Sequence, residues 1–274
     1  MAGILYVVGT PIGNLSDLSP RAVQTLREVD FIAAEDTRVT QKLLNHFEIK
    51  KPLTSYYQHN LRQRGEEILA RIAAGENCAI VTDAGMPCIS DPGEDLVQLC
   101  AQQGIATIVI PGPSAAISAL AVSGLSTSRF AFEGFLSTNR KNRMEHLRQI
   151  AQDPHTLIFY EAPHKLLDTL LDMREILGDR RIALCRELTK IHEQVIRTTF
   201  SGALEWYADK LPRGEYVLII EGAKPAQEPA LSLEEAVAQV KALRQGGMPV
   251  SDAAKQVAKE TGYKKGELYR RAME

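Results

Sequence analysis

Three turns in this chain carry more glycine and proline than a chain reversal needs. They are Gly9-Thr-Pro-Ile-Gly-Asn14, Asp83-Ala-Gly-Met-Pro-Cys-Ile-Ser-Asp-Pro-Gly93 and Pro111-Gly-Pro-Ser114. Each follows an apolar run: Ile4 to Val8, Cys78 to Thr82, and Ile105 to Ile110. Glycine lets backbone come close to a bound molecule, and proline stiffens the loop that does so. Such turns at the carboxyl ends of buried parallel strands describe a small-molecule pocket at one edge of a sheet.

The turns also say what the ligand is not. Gly9 to Asn14 is neither G-x-x-x-x-G-K-[ST] nor G-x-G-x-x-G, so a nucleotide phosphate is a poor fit. A ligand held by backbone amides and carbonyls, without a phosphate, fits better.

The elements that must position these turns alternate through the first half. Strands are expected at 4–8, 30–34, 78–82 and 105–110, and helices at 19–28, 37–47, 60–74, 93–103 and 114–123. Ser19-Pro20 supplies an N-cap and a first-turn proline. This alternation predicts a parallel sheet covered by helices. Further on, strands are expected at 130–135, 156–160, 181–185, 193–200 and 216–221, with helices at 140–152, 163–177 and 202–209. Antiparallel pairing is expected between 193–200 and 216–221, because the insertion between them is not one that must cross over. The expected division is an N-terminal α/β domain over 1–113, a second α/β domain with a mixed sheet over 114–224, and a helical tail over 225–274.

Composition bounds the classes. With 274 residues, 45% apolar, 24% charged and a net charge of −2, the chain is no polycation. Cys78, Cys88, Cys100 and Cys185 show no C-x-x-C spacing. They read as reduced, mostly buried thiols of a cytosolic protein, and no metal site is expected. A strand begins by Ile4 with no basic segment before it, so no signal peptide is expected. Thr107 to Leu125 is long and apolar, but Pro111-Gly-Pro113 and several serines make it strand, turn and helix rather than a membrane span.

Ala223 to Ala230 reads as a linker. Ser232-Leu-Glu-Glu235 then opens a helix with a capping box. A second helix is expected from Ser251 to Thr261-Gly262 and a third from Lys265 to Ala272. Ala253, Ala254, Val257, Ala258, Gly262, Leu268 and Tyr269 have helix–turn–helix spacing. Lys264, Lys265, Arg270 and Arg271 cluster at its end. They are either an RNA-contacting patch or the solvated face of a helical cap.

Longer words give a resemblance. Val8 to Ala22, Ala84 to Gly93, Val109 to Ser118, Thr156 to Glu161 and Gly214 to Gly222 resemble successive motifs of the tetrapyrrole methylase superfamily, which comprises two-domain α/β enzymes that use S-adenosylmethionine. Asn14 and Met86 stand where the porphyrin-modifying members carry Asp. Ala34-Glu-Asp-Thr-Arg38, Ser55-Tyr-Tyr-Gln-His-Asn60, Asp83-Ala-Gly-Met-Pro87, Tyr160-Glu-Ala-Pro-His164 and Cys185-Arg-Glu-Leu-Thr-Lys190 instead resemble the branch that 2′-O-methylates a cytidine of small-subunit ribosomal RNA. The resemblance implies the class III methyltransferase fold with a small C-terminal helical domain, cytoplasmic location and a homodimer.

It also implies a donor site. S-adenosylmethionine would be held by Pro11, Asp83, Ala84, Gly85, Met86, Ser114, Ala115, Tyr160, Glu161, Ala162, Leu188, Pro212 and Gly214. A ribose 2′-hydroxyl is a poor nucleophile until its proton leaves, so a general base is expected. Glu35, Asp36, His59, Glu161 and His164 are the candidates. Each has a structural alternative: Glu35 and Asp36 could cap a helix and pair with Arg38, His164 could open a helix, and His59 could lie on a surface loop. By the same resemblance Glu35, Asp36 and Arg38 would face the RNA.

For RNA, Arg38, Arg140, Lys141 and Arg143, with Arg148, form the candidate patch of the main body. A solvated helix start is the alternative for 140–148. Arg62 and Arg64 lie beside Tyr56, Tyr57 and His59, which could stack on bases or be core and rim residues. Two other functions compete. A tetrapyrrole C-methyltransferase would need an anion-binding pocket for propionates. A non-catalytic module that binds S-adenosylmethionine or RNA would need no base.

Overall fold

A computed structural model describes residues 1–57, 61–224 and 231–274. His59 and residues 225–230 of the expected linker lie outside them. The chain forms two compact units, Met1–Ala223 and Lys224–Glu274.

The first unit contains two five-stranded sheets. In the first sheet the strands are β1 (Leu5–Val8), β2 (Phe31–Ala34), β3 (Leu53–Ser55), β4 (Cys78–Val81) and β5 (Thr107–Ile110), in the order β3-β2-β4-β1-β5. Every pairing is parallel. The helices between them are α1 (Pro20–Glu28), α2 (Thr37–His46), α3 (Leu61–Ala73) and α4 (Glu94–Gln102). The strands are apolar at nearly every position because both faces are covered. Leu5, Val7, Phe31, Ala33, Cys78 and Ile80 pack with α3 and α4 residues such as Ile68, Ile72 and Leu96. Val8, Ile32, Ala34, Ala79 and Val81 pack on the other face with Leu26 and Leu44 of α1 and α2. Period-two alternation thus sends neighbouring apolar side chains to opposite layers.

α5 (Ala115–Val122) leads to the second sheet, with strands β6 (Phe130–Phe135), β7 (Thr156–Glu161), β8 (Arg181–Arg186), β9 (Gln194–Thr199) and β10 (Tyr216–Ile220). Its helices are α6 (Arg140–Gln149), α7 (Leu166–Leu177) and α8 (Phe200–Trp206). The order is β6-β7-β10-β8-β9. β6 pairs with β7 in parallel, and the other pairings are antiparallel, so the sheet is mixed.

The expected pairing of 193–200 with 216–221 does not form. β8 lies between β9 and β10 and pairs antiparallel with both. The placement follows burial: all five β10 residues are buried and take a central position, whereas β9 is only partly buried and lies at the edge.

One topological consequence builds the site. Because β10 runs antiparallel to β7 and β8, its first residue Tyr216 lies opposite both Glu161 and Arg186, the last residues of those strands. The start of β10 and the ends of β7 and β8 therefore share one edge.

The second unit is a three-helix unit of α9 (Leu233–Gln245), α10 (Val250–Thr261) and α11 (Lys265–Met273). Ser232 and Glu235 make both halves of the capping box, which stabilises the helix start by roughly 1 kcal/mol. Gly262, at φ 77°, ends α10 in the left-handed region, which favours glycine. Ala236, Val240, Ala253, Ala254, Val257, Leu268 and Ala272 form its core. Tyr269 is exposed rather than part of that core.

Among the described residues no helix is long and apolar enough to cross a membrane.

Candidate active site

The Gly/Pro turns converge because their backbones interlock. Thr10 and Gly85 exchange two backbone hydrogen bonds, of 2.9 and 3.2 Å, and the Thr10 hydroxyl donates to the Thr82 carbonyl at 3.1 Å. Gly85 sits at φ +90°, where a side chain would be strained. The first turn also meets the third, since a Cβ on Gly9 would lie 2.7 Å from Gly112 Cα and 2.7 Å from Met86 Sδ.

These turns form one wall of a cavity of about 510 Å³. The ends of β6, β7 and β8 and the start of β10 form the other. The volume is within the roughly 300–1,000 Å³ of small-molecule pockets. Ile12, Ala84, Met86 and Leu188 give it apolar surface.

The charged residues of the lining are mostly acidic. Glu35, Asp83, Asp91, Glu161, Glu187 and Glu215 line it, and Lys190 is the one basic residue that does so among the described residues. Lys190 is committed: its Nζ donates to Glu187 Oε1 at 3.0 Å and to Glu215 Oε2 at 2.9 Å. Burial works against its charge, but those two bonds outweigh burial and raise its pKa. The loop that carries it is strained, with Glu187 at φ 51° and Thr189 at φ 65°. Gly214 packs directly against the Glu187 side chain.

Three carboxylates gather at the mouth. Glu35 Oε2 accepts from the Thr82 hydroxyl and from the Asp83 N–H at 3.3 Å. Burial, then the Glu35 charge, raises the Asp83 pKa. Burial first, then the charges of Glu35 and Asp83, push the Asp91 carboxyl up to about 6. Asp91 was not among the residues expected from sequence, although it lies in the Ala84–Gly93 word.

Of the expected donor-site residues, Asp83 to Met86, Ser114, Ala115, Tyr160 to Ala162 and Leu188 line the cavity. Three do not. Pro11 is buried behind the wall, where Ile12 presents its side chain instead. Pro212 and Gly214 lie outside the lining, and Gly214 acts by supporting Glu187. Glu187, Lys190, Glu215 and Tyr216 line the cavity unannounced. The first two stand in the Cys185–Lys190 word, where the resemblance implies Leu188 alone for the donor site.

The catalytic candidates separate. Glu161 is 3% exposed, and both its oxygens are taken. Oε1 accepts from the Ala162 N–H at 2.8 Å and pairs with Lys165 Nζ at 3.3 Å, while Oε2 accepts from the Thr169 hydroxyl at 2.6 Å. It holds the β7 end and is no free base. Asp36 caps α2 and pairs with Arg38 at 2.6 Å; that hydrogen-bonded guanidinium lowers its pKa to about 2. His164 is exposed and outside the cavity lining. Glu35 remains at the mouth.

The RNA candidates separate as well. Arg143 is buried at 7%, pairs with Asp172 at 2.7 Å and donates to the Ser137 and Thr138 carbonyls. It is a packing residue, which removes it from the RNA-contacting set. Arg140 is half-exposed but shares Asp172 and adds Glu175. Lys141, Arg148, Lys264, Lys265, Arg270 and Arg271 are exposed, and Arg38 is exposed with Asp36 as partner. Tyr56 is core, its hydroxyl donating to Asp95 at 2.5 Å, and Tyr57 is a rim residue.

The donor set can be tested against S-adenosylmethionine. Its sulfonium and ammonium groups are cationic, and an acidic lining whose one cation among the described residues, Lys190, is already paired suits them. The Ser114 hydroxyl makes no capping bond to α5, which leaves it for a ligand. Backbone of Asp83–Met86 and the apolar wall suit the uncharged parts. The residues fit the group.

Two α/β sheets with a carboxylate-lined cleft between their strand ends define a class, and comparison agrees. Residues 4–203 match the family described as Tetrapyrrole (Corrin/Porphyrin) Methylases, and the chain belongs to that family of methyltransferases. Solved structures share the fold. A diphthine synthase superposes with TM-score 0.61 at 14% identity, covering 82% of this chain and 91% of that one. A uroporphyrin-III-C-methyltransferase from Thermus thermophilus superposes with TM-score 0.55 at 19% identity, covering 80% and 94%.

More similar relatives narrow the group. A protein of Synechocystis sp. named ribosomal RNA small subunit methyltransferase I is 49% identical over 99% of this chain and 98% of its own length. One of Escherichia coli O157:H7 with the same name is 45% identical over 99% and 95%. Residues 230–274 match the RsmI C-terminal HTH domain.

Proposed function

We propose that this chain transfers a methyl group from S-adenosylmethionine to the ribose 2′-hydroxyl of a cytidine in small-subunit ribosomal RNA. The observation that carries the reading is the cavity itself: a cleft with an apolar wall and an acidic lining, whose one basic residue among the described residues, Lys190, is paired, in a chain whose full-length relatives are named for ribosomal RNA methylation. The donor supplies an activated methyl group, so the protein mainly positions, desolvates and moves one proton.

The residues divide that work. Ala84, Met86, Ile12 and Leu188 exclude water from the donor. The Asp83–Met86 backbone and the Ser114 hydroxyl orient it. The carboxylates at the mouth take the proton that the acceptor hydroxyl must lose. Exposed Arg38, Lys141 and the basic end of the tail give RNA phosphates their counter-charges. Small ribosomal subunits in the cytoplasm are the setting in which such a substrate occurs.

A tetrapyrrole substrate is disfavoured on charge. Propionates would meet Glu35, Asp83, Asp91 and Glu215, with Lys190 already engaged. The test offers purified protein and methyl-labelled S-adenosylmethionine to small ribosomal subunits, protein-free ribosomal RNA and a tetrapyrrole mixture separately. Label should enter ribosomal RNA, free or assembled. Label in the tetrapyrroles alone would overturn the reading.

A further inference from the structure

A second cavity, of about 590 Å³, adjoins the first, with Tyr57 and Leu61 on its wall. Among the described residues only Glu35, Ser90 and Asp91 line both cavities. A donor in the first and an acceptor nucleotide entering from the second would meet at these three side chains. Glu35 is already engaged through Oε2 by the Thr82 hydroxyl and the Asp83 N–H. Ser90 offers a hydroxyl, which is no base unaided.

We infer that Asp91, standing in the partition between the two cavities, is the catalytic residue that accepts the proton of the acceptor hydroxyl. The inference rests on the methyl-transfer reading above. The loop that carries Asp91 is built to hold it. Cys88 at φ 70° and Ser90 at φ 63° are both in the left-handed region, a cost that non-glycine residues bear mainly where position matters. The Cys88 N–H donates to the Pro92 carbonyl at 3.3 Å, which closes the loop. Gly93, at φ 130°, lets the Cys88 sulfur pack where a Cβ would lie 2.6 Å from it.

The electrostatics suit the role. The groups around Asp91 are Glu35 just after β2, Asp83 just after β4, Glu94 and Asp95 of α4 on the wall of the second cavity, the Tyr160 phenol of β7 and the Cys88 thiol of its own loop. Among the described residues none of these charged neighbours is a cation. Burial comes first and the charges of Glu35 and Asp83 add to it, bringing the carboxyl to about 6, while the Thr82 hydroxyl pulls partly back. A base of that strength is ionised at neutral pH and still takes a proton effectively. In the step, the acceptor O–H bond breaks and its proton passes to the Asp91 carboxylate. The oxygen bonds to the methyl carbon as the carbon–sulfur bond breaks, with that electron pair going to sulfur. A carboxylate and a sulfonium become a carboxylic acid and a neutral thioether, so charge balances.

The sign of the stability effect follows. The folded pKa lies above the ordinary 3.8, so the folded state holds this proton more tightly than the unfolded chain. That contribution is complete below about pH 4 and is lost as pH rises through about 6. Asn mimics the protonated form. Asp91→Asn should therefore melt at the same temperature as the parent near pH 4 and at a higher temperature above pH 6.

The experiment uses the full chain, with melting followed from pH 4 to 8 and turnover measured with small ribosomal subunits or their RNA. The parent kcat should rise with pH along a limb near 6. Asp91→Asn should lose on the order of 10² to 10⁴ in kcat and lose that limb. Asp91→Glu should recover part of the rate, and Glu35→Gln should shift the limb to lower pH by removing a neighbouring charge. Asp91→Asn turnover within about threefold of the parent, or melting curves that coincide at every pH, would overturn the assignment. A parent that labels no RNA would overturn the methyl-transfer reading, and the base assignment with it, although the pH-dependent melting difference would remain.

Discussion

Gly9 and Gly112 face each other where the first and third turns meet, each occupying the space a Cβ of the other would need. A Cβ on Gly112 would lie 2.8 Å from Gly9 Cα, and one on Gly9 would lie 2.7 Å from Gly112 Cα. Both partners of the contact are backbone, so neither can swing aside. Gly112→Ala should push the first and third turns apart at a cost of about 1–3 kcal/mol and weaken S-adenosylmethionine binding about tenfold or more. Calorimetry on Gly112→Ala beside Gly266→Ala, a position with open space around it, measures this. Equal donor affinity in the two variants would contradict the interlock.

Glu161 should behave as a structural residue. Removing its carboxylate strands the Thr169 hydroxyl, the Ala162 N–H and the Lys165 ammonium at a buried strand end. Glu161→Ala should lower stability by about 1–3 kcal/mol for the stranded partners, with Glu161→Gln losing less. Urea unfolding should show a lower midpoint with an unchanged slope.

The tail can be tested by charge. Lys264, Lys265, Arg270 and Arg271 are exposed, and Arg271 pairs with Glu267 at 3.6 Å. Changing all four to Ala should weaken RNA binding and flatten its salt dependence, because released counterions set that slope. Donor binding should stay the same. An unchanged affinity at low and high salt would make the tail a structural cap.

A homodimer is expected from exposed apolar residues of three elements, Val109 of β5, Ile117 of α5 and Phe130 of β6, each at least 44% exposed. Phe132 does not add to it, since it packs against Tyr160. Light scattering at micromolar concentration should give twice the chain mass. Ile117→Glu should shift that mass towards the monomer.

Much of this arrangement was legible because burial on two faces leaves a strong signal. The apolar runs around Leu5, Phe31, Cys78 and Ile108 marked strands, and the glycines and prolines after them marked the cleft. β3 escaped because Leu53-Thr-Ser55 is three residues of a half-buried edge, too short for a period to show. β9 and β10 were paired wrongly because spacing along the chain does not reveal a third strand between two others. Asp91 escaped for a related reason. It lies ten residues beyond Val81, the last residue of β4, and only the fold of the Cys88–Pro92 loop returns it to the mouth. Arg143 and Glu161 misled because sequence shows a charge without showing the buried partner that neutralises it.

The central claim is the atom that receives the methyl group. Small-subunit RNA labelled by this protein with isotopically marked S-adenosylmethionine can be digested to nucleosides and weighed, with base and ribose fragments separated. The label should lie on the ribose of cytidine, as 2′-O-methylcytidine. Label on the base fragment, or on a nucleoside other than cytidine, would contradict it.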